Sequence, residues 1–124
     1  MITSVYNSKG VTATAEPGCL RIHLPRLTSS HDCSGAMDAL QEIYDQTPQT
    51  VDWVVDVSAL EVLPVVILAI LVAFQEKFQC RGHRILLAGV DPDWFQHSFM
   101  KEIVRRFLIL SDPPLSRQAK IAKI

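Results

Sequence analysis

The side chains in this sequence that could do chemistry are few, and their spacing narrows them further. Two acid pairs stand out, Asp52 with Asp56 and Asp91 with Asp93, and neighbouring carboxylates are common equipment for general acid and base work. The first pair falls at i, i+4 inside a β-branched strand segment. The second opens a helix, with Asp91 at the N-cap and Asp93 near the positive end of the dipole. Four histidines and three cysteines invite a metal reading, yet His23 has no second ligand near it in sequence, His83 falls in a turn and His97 on the polar side of a helix. Cys19, Cys33 and Cys80 are odd in number and far apart, with no Cys-x-x-Cys and no histidine at ligand spacing. Neither a disulfide framework nor a zinc site is expected, and the thiols read as reduced and mostly buried. Lys101, Arg105 and Arg106 form a short basic strip near a helix C-terminus, where cations suit the dipole; it reads as a solvated face rather than an anion site.

The recurring cofactor and nucleophile motifs are missing. There is no Gly-x-Gly-x-x-Gly, no Walker Gly-Lys-Ser/Thr, no Gly-x-Ser-x-Gly and no His-Glu-x-x-His. With no nucleophile and base to name, an enzyme is not expected, and neither is a cofactor. Twelve basic against thirteen acidic residues leave a net charge of −1, so there is no field to hold a polyanion and nucleic acid is not an expected partner. What the chain has in excess is apolar surface: 48% hydrophobic residues in 124, with a mean hydropathy of +0.19. That is enough for a thick core, an apolar contact face, or both. The longest apolar run, residues 62–74, contains Pro64 and falls short of the ~20 residues that span a bilayer. The opening "MITSVYNSKG" lacks a basic region followed by an apolar one, so it does not read as a signal peptide, and a cytoplasmic location is expected.

The elements that would position these residues follow from periodicity. Residues 2–6 and 11–15 are strand-like around an Asn7-Ser8-Lys9-Gly10 turn, and Pro17-Gly18 makes a second turn. A third strand, 19–24, puts Leu20, Ile22 and Leu24 on one face and His23 on the other. Ser29 with Asp32 resembles a capping box, and Cys33, Ala36, Met37, Leu40, Ile43 and Tyr44 follow at helical spacing until Thr47-Pro48 stops the helix. Residues 51–57, "VDWVVDV", read as a central strand covered on both faces. A second helix is expected from Pro64, favoured in a first turn, to Arg81-Gly82, apolar nearly all round until Gln75. Residues 84–90 are a further short strand. Phe95, Phe99, Ile103, Val104 and Phe107 then form a helical stripe that reads as core, residues 108–110 a last short strand or coil, and 115–124 a marginal helix or tail. The expected fold is therefore a single α/β domain over residues 1–124, with its core at about 11–110: a mixed, mostly parallel sheet of about four to five strands, its helices packed mainly on one side.

In order and spacing this resembles the STAS domain, the module of bacterial anti-sigma-factor antagonists. Asp56-Val57-Ser58 stands where that family has a strand ending Asp-Leu-Ser, Arg81-Gly82 where it has an Arg-Gly turn, and Ala88-Gly89-Val90 where a strand ends in Val-Gly-Val. In the family the second helix begins with Asp-Ser-Ser/Thr-Gly, whose first Ser or Thr is a phosphorylation switch controlling binding to an anti-sigma kinase. Laid on the spacing here, those positions become Pro64, Val65, Val66 and Ile67. Val65 matches the phosphosite and carries no hydroxyl, so it can neither gain the charge of a phosphate nor recruit basic groups with it. The family's Gly-Glu-Leu-Asp turn is also altered, to Leu24-Pro25-Arg26-Leu27-Thr28 with a shortening. Ser58, the nearest hydroxyl, matches the family's strand-end serine and reads as a turn residue.

The resemblance implies a non-catalytic interaction module whose partner is a protein, an anti-sigma-kinase-like or other regulator, or a second copy of the chain. The excess of apolar residues on the second helix places the expected interface at Leu63, Pro64, Val65, Val66 and Ile67, with the loop 60–63 beside it. The alternatives that keep the fold are a small-ligand or nucleotide-binding module and an accessory subunit of a membrane transport system.

Overall fold

A computed structural model describes residues 3–46, 51–96, 105 and 107–110. The chain opens with three strands joined by tight turns: β1 (Thr3–Ser8), β2 (Val11–Glu16) and β3 (Cys19–His23). Lys9 and Gly10 turn β1 into β2 with φ of 56° and 82°, the double positive φ whose twist matches that of the flanking strands. β1 is the edge of the sheet, and its register slips between Ser4 and Tyr6, so Val5 sits in a bulge. Helix α1 (Ser30–Gln46) follows, then β4 (Asp52–Asp56), helix α2 (Val65–Gln79), β5 (Ile85–Ala88), a 3₁₀ turn (Pro92–Gln96) and β6 (Leu108–Leu110).

The six strands lie in chain order, with β1, β2 and β3 antiparallel and β3 through β6 parallel. This is the expected mixed sheet, one strand larger because residues 108–110 pair with β5. Residues that face one another across it alternate between two surfaces. Ala13, Ile22, Val55 and Leu87 fall in one register row, with Leu20, Trp53 and Ile85 on the same face, and all are buried in one core with both helices. The Tyr44 ring of α1 stacks on Phe74 of α2 at 4.5 Å, and Trp53 meets Phe74 and Phe78 edge-on at 5.7 and 5.1 Å, which fixes α1 and α2 on the same side. The opposite face is more polar than the sequence implied for the central strand: Val54 is flanked there by Arg21 and Leu86, and Asp56 by His23 and Ala88.

The helix ends are built as the residue types dictate. Ser29 Oγ accepts the Asp32 backbone N–H at 3.1 Å, while the Asp32 carboxylate turns back not to Ser29 but to Thr28, accepting its N–H and hydroxyl, each at 3.0 Å. The reciprocal half of the box is thus moved one residue outward. At the end of α2, His83 N–H reaches Phe78 O at 3.0 Å and Gly82 N–H reaches Gln79 O at 3.1 Å, with Gly82 at φ 81°. That is the Schellman pattern, and it explains the glycine. Gln75 departs from expectation: it does not open the polar half of α2 but is buried, its Oε1 accepting the Ile85 N–H at 2.7 Å to tie α2 to β5. The third helical stripe falls largely on residues 97–104, outside those described; of it, Phe107 is buried and Pro92–Gln96 form a single short turn.

Candidate partner interface

All the parallel strands end at one edge of the sheet, and the loop from β4 to α2 crosses that edge. Its course is set by three contacts. Asp56 Oδ1 accepts the Ser58 backbone N–H at 2.9 Å and the Ser58 hydroxyl at 2.6 Å, which closes the turn at the strand end. Val57 N–H reaches Ala88 O at 2.9 Å, extending the ladder to β5, and Leu60 N–H returns to Val57 O at 3.0 Å. Farther on, Trp94 Nε1 donates to Glu61 O at 3.1 Å, and the Glu61 carboxylate pairs with Arg26 of the β3–α1 loop. Three loops are thereby held together around the start of α2.

That start is a proline cap with no side-chain acceptor. Pro64 lies in the extended region, and its carbonyl accepts N–H groups from both Ile67 and Leu68 at 3.1 and 3.0 Å. The five residues expected to form an interface are divided by this geometry. Leu63 and Ile67 turn inward and are 4% and 0% exposed, so they anchor the loop rather than offer surface. Val65 and Val66 point outward at 55% and 46%, joined by Val62 at 63%, with Pro64 half-buried between them. Among the described residues only Val5 is a comparably exposed large apolar side chain. Ala69 and Ala73 continue the exposed strip along α2, at the i, i+4 and i, i+8 positions from Val65. Their small size hid them from a reading that counted large apolar residues.

The polar residues singled out by spacing are consumed locally. His23 Nδ1 lies 3.3 Å from Asp56 Oδ2, so Ser58, Asp56 and His23 form a chain with the carboxylate in the middle. In hydrolytic triads the imidazole stands between hydroxyl and carboxylate, where it can take the hydroxyl proton; here Ser58 donates directly to Asp56. Asp52 turns the other way along the strand, accepting Arg84 N–H at 3.1 Å and lying 3.4 Å from His83 Nδ1. The two acids of the first pair therefore serve separate contacts. Asp91 accepts the Asp93 N–H at 2.9 Å, as an N-cap does. Among the described residues no group of three His, Cys, Asp or Glu side chains could hold a metal ion, and no helix is long and apolar enough to cross a membrane. His97, Lys101 and Arg106 lie outside the described residues.

The fold is similar to the STAS fold. A Ser-to-Glu variant of RsbS from Moorella thermoacetica superposes with a TM-score of 0.60 over 84% of this chain and 88% of its own, at 16% sequence identity. No protein-family model matches the chain, and no curated protein matches it.

Proposed function

We propose that the chain is a non-catalytic protein-binding module of the anti-sigma-factor-antagonist type, acting in cytoplasmic bacterial regulation, whose contact surface is the outward side of Val62, Pro64, Val65 and Val66. The observation that carries this is the exposure of three valines within five residues at the start of α2, each about half-exposed or more. A soluble domain gains nothing from leaving such side chains in water, and clustered exposed apolar groups are the usual mark of a binding face. Leu63 and Ile67 support the surface from beneath. With valine at 65 and 66 there is no hydroxyl to phosphorylate, so the face stays apolar and binding is constitutive. The test is affinity capture from the native host with the wild-type chain and with Val65→Asp and Val62→Asp. A partner retained by the wild type and lost by both variants is expected; equal retention by all three overturns the reading.

A second reading rests on a cleft of about 410 Å³ between the β1–β2 turn and the start of α1, lined by Lys9, Arg26, His31, Asp32 and Asp38. Its size lies in the range of small-molecule sites. Thermal-shift titration with nucleotides tests it, since a ligand at 100 times its Kd adds about 2.7 kcal/mol of stability; no shift removes this reading.

A further inference from the structure

Resting on the reading of the cleft between the β1–β2 turn and α1 as a small-molecule site, we infer that its ligand is a small zwitterion. This is a short aliphatic amino-carboxylate whose carboxylate is received by Lys9 and whose ammonium is received by Asp38. The cleft holds about 410 Å³, ample for a ligand of a few carbons. Its charged groups are of both signs, Lys9 and Arg26 against Asp32 and Asp38. A phosphate-bearing ligand would set its charge against two carboxylates, whereas a molecule with one charge of each sign finds a partner for both.

Two of the four charges are already engaged. Arg26 pairs with Glu61, and Asp32 accepts the N–H and hydroxyl of Thr28. Lys9 and Asp38 line the same cleft, yet among the described residues no ion pair joins them to each other or to another side chain. A ligand carrying both charges closes that gap. Lys9 is also placed against local preference. It holds a φ of 56°, a conformation that glycine or asparagine occupies more readily. Its stem lies on α1 at Gly35, where a Cβ would stand 3.3 Å from Lys9 Cδ. Alanine is the better helix former at such an interior position. Two locally unfavourable choices thus meet at one contact, and that contact fixes the lysine stem at the cleft; such departures gather at functional sites. The next residue, Gly10, packs on Pro25, with 3.1 Å from a Cβ placed there to the proline Cγ. Pro25 and Leu27 give the cleft its apolar lining, against which the methylene chain of the ligand can rest.

The experiment is nitrogen-edited NMR of the labelled full chain at neutral pH. The titrants are glycine, β-alanine, γ-aminobutyrate and δ-aminovalerate, which step the distance between the two charges, and acetate and methylammonium, each carrying one of them. Amide resonances of Lys9, Gly10, Gly35 and Asp38 report the cleft, and the rest of the spectrum shows that each variant is folded. At least one amino-carboxylate is expected to shift those amides saturably below about 50 mM and to bind about tenfold more tightly than acetate or methylammonium, as a second charge-assisted contact provides. Lys9→Met and Asp38→Asn should each reduce that affinity about tenfold. Cleft amides unmoved by every amino-carboxylate, affinity no better than that of acetate and methylammonium, or binding unchanged in either variant overturns the inference. Failure here is separate from failure of the cleft reading: nucleotides that shift the cleft amides where amino-carboxylates do not refute the zwitterion and leave a small-molecule site standing.

Discussion

Gly89 and Ser58 come so close that a Cβ placed on Gly89 would stand 2.6 Å from the Ser58 Cβ and 3.0 Å from the Ser58 Cα and N. Gly89 also has a φ of 76°, a region that side chains rarely occupy. The loops after β4 and β5 can pack only because this residue is glycine. Gly89→Ala is expected to destabilise the fold by about 2–4 kcal/mol, combining backbone strain with displacement of the Ser58 turn. Urea denaturation with an unchanged m-value would show it.

Val66 and Ile67 are adjacent yet face opposite worlds, 46% and 0% exposed. Val66→Ser should change stability by less than about 0.5 kcal/mol, as surface substitutions do. Ile67→Ala should cost about 2–5 kcal/mol from lost burial and the cavity left behind. Comparable losses in the two variants, measured by thermal and urea unfolding, would mean that the start of α2 is not turned as described.

Gln75 accepts the N–H of Ile85 inside the protein. Gln75→Met keeps the shape of the side chain and removes the acceptor, leaving a buried donor unmade. The expected cost is about 1–3 kcal/mol, and the Ile85 amide should exchange with solvent faster than its neighbours in β5 by hydrogen-exchange NMR.

Asp32 is held below its ordinary pKa of 3.8, first by the Thr28 backbone N–H, then by the Thr28 and Ser29 side-chain hydrogen bonds. A carboxyl whose folded pKa is lowered adds stability that is fully present above the unfolded value and is lost as pH falls through the folded one. Acidification below 3.8 should therefore weaken the start of α1. In Asp32→Ala this part of the acid sensitivity should be missing, which a pH series of urea midpoints for both proteins would reveal.

Much of the fold was legible because local signals agreed. The helix limits at Ser29 and Gly82, the paired turns at Lys9-Gly10 and Pro17-Gly18, and the inward faces of β3 and α1 follow from caps, positive φ and periodicity. The burial of the candidate surface was legible only to the level of a segment. An apolar run carries no phase when nearly every position is apolar, so Leu63 and Ile67 could not be told from Val65 and Val66 until the helix was docked on the sheet. Gln75 and the His23–Asp56 contact were hidden for another reason. Their meaning depends on partners 10 and 33 residues away, and tertiary pairing leaves no local mark.

The bulge at Val5 has a consequence for how such chains meet. A straight edge strand is a template on which another chain can add itself indefinitely, and slipping the register between Ser4 and Tyr6 interrupts the row of free donors and acceptors that such growth requires. Growth of the sheet from molecule to molecule is discouraged at this border. A helix offers side chains alone, its backbone groups already paired with one another, and so presents no such template.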